Sequence, residues 1–185
     1  MTLATTIPGY LAGTWSIDTV HSDVSFSVRH MMVSKVKGRF GSFSGTIITA
    51  ENPLQSAVTA EIELNSIDTN NAQRDDHIRS ADFFEVEKHP TMTFTSTSLE
   101  SDGSDFILNG DLTLKGITQS VPLKLELGGI GPDAYGGTRS GFTATGEISR
   151  KAFGVDIDMP MDGGGVVIGD KITITLEIEA VLKTD

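Results

Sequence analysis

Alternation of apolar and polar residues with a period of two is the feature that most restricts the fold of this chain. It is clearest near the C-terminus, where apolar side chains occupy every second position at Ile172, Ile174, Leu176, Ile178, Ala180 and Leu182. The pattern recurs from Val24 to Val28, from Val58 to Leu64 and from Phe106 to Leu114. A strand of this kind buries one face and exposes the other. Since parallel strands buried on both faces would show unbroken apolar runs, the sequence predicts antiparallel pairing over seven or more strands.

Antiparallel strands with one buried face form either a barrel or a sandwich. One long strand-like stretch, from Val36 to Ile48, contains three glycines, at Gly38, Gly41 and Gly45. Glycines within a strand suit the sharp bends that a closing barrel requires. At 185 residues the chain is long enough for one well-buried domain. We therefore expect an all-β fold, a closed antiparallel barrel over residues 14–185, after an N-terminal extension at 1–13.

The segment from Asn70 to Phe84 departs from this alternation and predicts one short helix, at about 70–84. An asparagine at its start can cap the first turn, and Asp75 and Arg79 have the spacing of an ion pair one turn apart. We expect this helix near a barrel mouth. The residues leave open whether it covers the mouth as a lid or packs against the outer wall.

Charge and the N-terminal residues restrict the partners and the compartment. The chain has 25 Asp and Glu against 14 Lys and Arg, a net charge of −11. Most of such a surface repels a phosphate backbone, so no nucleic acid partner is expected.

The chain contains no cysteine, which excludes disulfides and thiolate chemistry. Residues 1–13 lack the basic start and apolar stretch of a leader and contain no membrane span, so we expect a cytoplasmic protein.

Few residues have the spacing of a catalytic or metal site. The chain has four histidines, at His21, His30, His77 and His89. Their spacing matches neither a zinc protease nor a zinc finger, so no metal or cofactor is expected. Arg74, Asp75 and His77 place a cation, an acid and a base within one helical turn, which is the raw material of proton transfer. No Gly-x-Ser-x-Gly nucleophile motif accompanies them. A hydrolase or isomerase using these three residues is the alternative to simple solvated charges.

Two further features each permit two interpretations. Arg150 and Lys151 are close in sequence to the aromatic Phe153. Cations at such a place either bind an anionic headgroup or cover the edge of the barrel. Covering the edge is favoured more for Lys151 than for Arg150. The inward aromatic residues either line a cavity or form a solid core, because eight-stranded barrels do both.

Ordered motifs along the chain resemble those of the YceI-like family. They include Trp15-Ser16-Ile17-Asp18, His21-Ser22, Arg29-His30-Met31, Gly38-Arg39-Phe40, Arg74-Asp75, Asp82-Phe83-Phe84, His89-Pro90, Gly110-Asp111-Leu112-Thr113-Leu114-Lys115-Gly116, Ile148-Ser149-Arg150 and Phe153-Gly154. The resemblance extends from about Gly13 to the C-terminus and follows the family order. It implies a lipocalin-like barrel that binds a polyisoprenoid or another long amphiphilic chain in an elongated apolar cavity. It also implies a homodimer without enzymatic activity.

The strand faces and this resemblance together predict a ligand site. We expect the apolar tail of an isoprenoid or fatty ligand to contact Phe26, Val28, Phe40, Phe84, Phe94, Leu114 and Phe142. The head is expected near the basic residues of the mouth, which are Arg29, His30, Arg74 and His77. An isoprenoid quinone, a polyprenyl phosphate or a fatty acid derivative would suit such a site, for transport or for storage. A third interpretation is a filled barrel that serves as a structural or partner-binding module.

Overall fold

The structure is a computed structural model that describes residues 6–157 and 167–184. Strands dominate it, and the helix α1 (Ala72–Arg79) follows the sixth strand. The strands are β1 (Gly13–Ile17), β2 (Asp23–His30), β3 (Ser34–Phe40), β4 (Phe43–Thr49), β5 (Ala57–Glu63), β6 (Ile67–Asp68), β7 (Thr91–Asp102), β8 (Asp105–Leu114), β9 (Ile117–Pro132), β10 (Thr138–Ser149) and β11 (Ile168–Leu182).

Eight of these strands close into a barrel by antiparallel pairing. Their hydrogen-bonded order is β1-β4-β5-β7-β8-β9-β10-β11, and β11 pairs with β1 to complete the ring. The closing pair places Trp15 opposite Leu182 and Ile17 opposite Ala180. The predicted all-β, closed antiparallel barrel is confirmed, because a sandwich would leave two open sheets.

Two of the strand paths are interrupted. β11 pairs with β1 near its C-terminal end and with β2 before that, so β1 and β2 are two parts of one path along the same neighbour. The expected single stretch from Val36 to Ile48 is likewise split into β3 and β4. Between them the N–H of Gly41 donates to the carbonyl of Ser66, 3.2 Å away. From β11 the sheet therefore continues through β2 and β3 to β6, outside the ring.

The chain direction of the strands defines two ends of the barrel. One, called here the Trp15 end, holds β1 and the β4–β5, β7–β8 and β9–β10 connections. The other, called the hairpin end, holds the β2–β3 turn at residues 31–33, the β8–β9 turn, α1, the end of β10 and the start of β11. The helix therefore lies near a barrel mouth, as predicted.

α1 is shorter than predicted: it spans Ala72–Arg79 instead of about 70–84. Asn70 has a φ of 64°, a left-handed conformation that cannot continue a helix. The cap is Asn71, whose side chain accepts a hydrogen bond from the N–H of Arg74. At the other end Ser80 is extended, with a ψ of 174°.

The expected ion pair between Asp75 and Arg79 is wrong. Asp75 is buried and turns toward Thr69, from whose backbone N–H and hydroxyl its carboxylate accepts hydrogen bonds of 2.9 and 2.5 Å. Arg79 instead pairs with Asp76 at 3.0 Å. The spacing alone did not distinguish the two aspartates, because both stand near enough to Arg79 along the helix.

Two clusters of buried apolar residues form the core of the barrel. The smaller, at the Trp15 end, contains Trp15, Ile47 and Ala180. Trp15 is 1% exposed, and its indole N–H donates to the hydroxyl of Thr49 at 2.9 Å. The larger cluster includes Phe40, Phe94 and Leu112. Ile78, in α1, and Phe84, after the end of α1, pack against it. Apolar side chains thus face the barrel axis over its whole length.

Candidate functional site

A cavity of about 440 Å³ lies inside the barrel, and every strand of the ring contributes to its lining. On β11 the lining extends from Ile168 to Ile178. Ten residue steps of about 3.3 Å, on a strand tilted by roughly 40°, span about 25 Å of the barrel axis. The volume falls within the range of about 300–1,000 Å³ that is typical of small-molecule sites. The cavity is therefore elongated and large enough for a flexible chain.

All eleven residues of the predicted ligand site line this cavity, and their contact with a ligand stays a prediction. They are Phe26, Val28, Arg29, His30, Phe40, Arg74, His77, Phe84, Phe94, Leu114 and Phe142. Further apolar residues complete the lining, among them Ile62, Met92, Leu108, Leu123, Ile148, Ile174 and Leu176. The interior faces therefore enclose a cavity instead of a solid core.

Aromatic rings lie against the wall of the cavity, where two glycines make room for them. A Cβ atom at Gly110 would overlap the ring of Phe94, and one at Gly38 would overlap the ring of Phe26. The ring of Phe26 is followed by those of Phe40 and Phe84, with centroid separations of 5.7 and 6.3 Å. The rings of Phe26 and Phe94 therefore cover the neighbouring strand at positions where a side chain would exclude them.

The segment containing α1 supplies both apolar and polar groups to the cavity. Ile78 and Phe84 line it, and the lid interpretation fits this position better than packing on an outer wall. Arg74 donates from Nε to the hydroxyl of Thr69 at 2.8 Å and from Nη2 to the carbonyl of Thr69 at 2.6 Å. These two bonds leave three of the five guanidinium N–H groups for other acceptors.

The structure does not gather the predicted proton-transfer residues around one point. Arg74 and Asp75 both bind Thr69, so their polar atoms hold the start of α1. The Nε2 atom of His77 lies 2.8 Å from a carboxylate oxygen of Asp82. This arrangement favours a structural role for Arg74 and Asp75.

Arg29 and His30 reach the cavity from the last residues of β2. Arg29 is exposed and stands opposite Lys35 in the antiparallel register, and His30 stands opposite Ser34. Both therefore belong to the rim at the hairpin end, where a polar ligand head would meet water.

Arg150 is a further cavity residue, absent from the predicted site. It is 5% exposed and donates to the carbonyls of Gly169 at 2.9 Å, Val155 at 2.8 Å and Ile157 at 2.9 Å. It thus covers carbonyl groups at the barrel edge, the role that the sequence favoured for the exposed Lys151. The signal was the Arg150-Lys151 pair beside Phe153, but sequence does not show which cation turns inward.

Ser140 is another lining residue that the predicted site lacks. It is 3% exposed, and its hydroxyl has no hydrogen-bond partner among the residues that the structure describes. The period of two would have found it, because Ser140 shares the inward face of β10 with Phe142 and Ala144. It adds one polar group to the lining near the Trp15 end.

A separate cluster brings together Asp18, His21 and Glu179 on the barrel surface, with ligand atoms within 4.8 Å of one another. Arg139 occupies the same place: its Nη1 atom lies 2.6 Å from Asp18 and 3.6 Å from Glu179. The hydrogen bond from Arg139, with a second from His21, holds the pKa of Asp18 well below its usual range. A guanidinium among the carboxylates makes this cluster an ion-pair network, and disfavours a cation site.

No helix among residues 6–157 and 167–184 has the length and apolar character needed to cross a membrane.

Comparison with known proteins agrees with this architecture. The protein YceI of an Escherichia coli strain is 45% identical over 140 residues, which cover 75% of this chain and 73% of the relative. YceI of Salmonella newport is 44% identical over the same shares. A solved YCEI structure from Campylobacter jejuni is 30% identical, with a TM-score of 0.73, and the match covers 84% of this chain and 90% of that one.

One solved neighbour is described by its ligand. It is a polyisoprenoid binding domain from Saccharophagus degradans, with a TM-score of 0.68, 17% identity and coverage of 91% of this chain and 98% of that one, a likeness of fold. The sequence model of the YceI-like domain matches residues 15–180 of this chain. The predicted resemblance is confirmed, and the chain belongs to the YceI-like domain family.

Proposed function

We propose that this barrel binds the apolar chain of a long amphiphilic lipid, such as a polyisoprenoid or a fatty acid derivative, for transport or storage. The observation that carries the proposal is the continuous apolar cavity of about 440 Å³ along the barrel axis. The polyisoprenoid binding domain from Saccharophagus degradans has the same fold, which supports the assignment.

The energetics favour a long tail over a short one. Each CH₂ group removed from water contributes about 0.8 kcal/mol, so ten buried carbons contribute about 8 kcal/mol. Association costs about 4–15 kcal/mol, so a tail of that length gives weak binding and a longer one gives firm binding. A cavity about 25 Å long offers that length.

The ligand head belongs at the hairpin end. Arg29 and His30 stand at the rim there, and His77 is 45% exposed in its side chain. These groups reach water while also lining the cavity, which suits a polar or anionic head. Arg74 is a weaker candidate, since two of its N–H groups already bind Thr69.

Binding without turnover is favoured over the hydrolase or isomerase alternative. Arg74 and Asp75 are committed to Thr69, and His77 pairs with Asp82, so the three share no reacting point. Catalysis would require that these groups meet at one bond of the substrate. Incubation with an extracted lipid should return that lipid with its mass unchanged, which tests hydrolysis, and with its NMR spectrum unchanged, which tests isomerisation. The homodimer and the cytoplasmic location stay predictions.

A chain-length series tests the proposal. Delipidated protein is titrated with saturated fatty acids, and then with isoprenoid alcohols, of increasing length. We expect Kd to fall roughly four-fold for each added CH₂ and to level off once the tail fills the cavity. A Kd that does not depend on chain length would contradict the proposal.

A further inference from the structure

The turn between β2 and β3 exposes three consecutive apolar side chains. Met31, Met32 and Val33, called here the apolar tip, are 44%, 53% and 84% exposed. Ile117, in the β8–β9 hairpin at the same end of the barrel, is 37% exposed. Single exposed apolar residues are ordinary on a protein surface, but three consecutive ones at the end of a hairpin form an apolar patch. Such a patch is typical of a surface that binds a partner.

The backbone of the apolar tip is strained for the residues that it contains. Met31 and Met32 have φ angles of 51° and 62°, in the left-handed region where glycine and asparagine are the favoured residues. Methionine in this conformation costs energy that asparagine or glycine would not. The two methionine side chains are therefore present although the backbone conformation disfavours them, which is typical of functional positions.

Cations flank the apolar tip in a chain that is otherwise strongly acidic. Between Asp23 and Glu51 the sequence contains four Lys and Arg and no acidic residue. The rest of the chain has ten Lys and Arg against 25 Asp and Glu, a net charge of −15. An anionic surface therefore attracts this hairpin and repels most of the remaining protein.

All four cations lie on one face of the hairpin and are exposed: Arg29, Lys35, Lys37 and Arg39. In the register Arg29 stands directly opposite Lys35, a like-charge pair that destabilises the hairpin. Arg39 pairs with Asp68 at 3.8 Å. Within the described part of the chain, Arg29, Lys35 and Lys37 form no ion pair. Three cations are therefore available to an external anion.

The apolar tip adjoins the rim of the cavity. The backbone N–H of Met31 donates to the carbonyl of Val167 at 2.7 Å, and Val167 lines the cavity. His30, directly before the tip, and Val36, shortly after it, line the cavity as well. Whatever binds the tip is thus brought against the hairpin end of the cavity.

We propose that the apolar tip inserts into the surface of an anionic lipid bilayer, with Lys35 and Lys37 against the headgroups. An apolar segment flanked by cations has the two properties that attach a protein to such a surface. The attachment turns the hairpin end of the cavity toward the bilayer with which its lipid is exchanged. That purpose rests on the proposed lipid binding, whereas the attachment itself is measured separately.

Co-sedimentation with vesicles tests the attachment. Full-length protein is mixed at low salt with vesicles of phosphatidylcholine alone, or of phosphatidylcholine with phosphatidylglycerol. We expect binding to the anionic vesicles only, weakening as salt is added. Lys35→Gln with Lys37→Gln should weaken binding roughly 25-fold, since each cation near an anionic surface contributes about five-fold.

A second variant isolates the apolar contribution. Met32→Asn with Val33→Ser removes two apolar side chains and relieves the left-handed backbone, so it should fold at least as stably as the parent and bind vesicles at least roughly ten-fold more weakly. Tyr135→Ser is the matched control: Tyr135 is 87% exposed in the β9–β10 turn at the opposite end, and its replacement should leave vesicle binding unchanged.

Three outcomes would overturn the inference. One is equal binding to the two kinds of vesicle, and another is full vesicle binding by the Met32→Asn, Val33→Ser variant. The third is a change of this variant from dimer to monomer in size-exclusion chromatography with vesicle binding retained, which would make the tip a contact between copies. Native mass spectra test the proposed function separately from the vesicle attachment. The variants should retain cavity lipid. A parent protein that carries no lipid but still binds vesicles through the tip would contradict the cavity function and leave the attachment intact.

Discussion

The same substitution at two buried alanines distinguishes a cavity from a filled core. Ala144 is 4% exposed, lines the cavity and lies between Leu125 and Leu176 on neighbouring strands. Ala180 is 0% exposed, packs against Trp15 and Ile47, and does not itself line the cavity. Leucine adds three carbons at either position, so the two variants differ only in the space available to the new side chain.

The expected effects have different sizes at the two positions. Ala180→Leu overfills a close-packed cluster and should lower the free energy of unfolding by about 1–3 kcal/mol. Ala144→Leu places its carbons in the cavity and should leave the stability of the delipidated protein unchanged or raised. In the ligand-bound protein the same three carbons displace three CH₂ groups of the tail, a loss of about 2.4 kcal/mol, or roughly 60-fold in Kd.

Urea unfolding of delipidated protein and titration with one long-chain ligand measure both effects. If Ala144→Leu destabilised the protein as much as Ala180→Leu, the interior around Ala144 would be a solid core. If Ala144→Leu left Kd unchanged, the tail would not reach the middle of the barrel.

Two other predictions concern polar contacts that hold the barrel and its helix. The ionised form of Asp18 is stabilised by Arg139, so its contribution is present above the usual pKa of 3.8 and is lost as the pH falls below it. Asp18→Asn should therefore lower Tm at neutral pH, and its Tm should fall less than that of the parent between pH 5 and 2; equal pH profiles would contradict this. Asp75→Ala leaves the N–H of Thr69 without its carboxylate and should lower stability by about 1–3 kcal/mol, whereas the exposed Asp76→Ala should change it by less than about 0.5 kcal/mol in thermal melts. Equal losses from the two alanine variants would show that the Asp75 contact contributes nothing.

The strands were predictable because one physical cause produces their pattern. Each strand of the ring places one face toward the barrel interior, so inward positions such as Ile174 and Leu176 recur with a period of two. The glycines from Gly38 to Gly45 indicated bends in this stretch, but not that it breaks into β3 and β4 at Gly41. At the break Gly41 binds a partner distant in sequence, the carbonyl of Ser66, which only the fold brings close.

The residues of the site also differ in whether the sequence could predict them. Apolar lining residues such as Phe94 and Phe142 follow from the face of a strand, which the alternation reveals. Arg150 does not, because its inward position depends on the carbonyls of Val155 and Gly169, which only the fold brings together. Polar positions that satisfy the backbone are decided by tertiary structure, whereas apolar positions are decided by strand register.

The central claim is that a lipid tail occupies the barrel, and native mass spectrometry of freshly purified protein, followed by organic extraction, tests it most directly. We expect a species heavier than the 19.7 kDa chain by the mass of one lipid, and recovery of a lipid of that mass in the organic phase. A protein of bare mass that also fails to take up any long-chain lipid after incubation would contradict the claim.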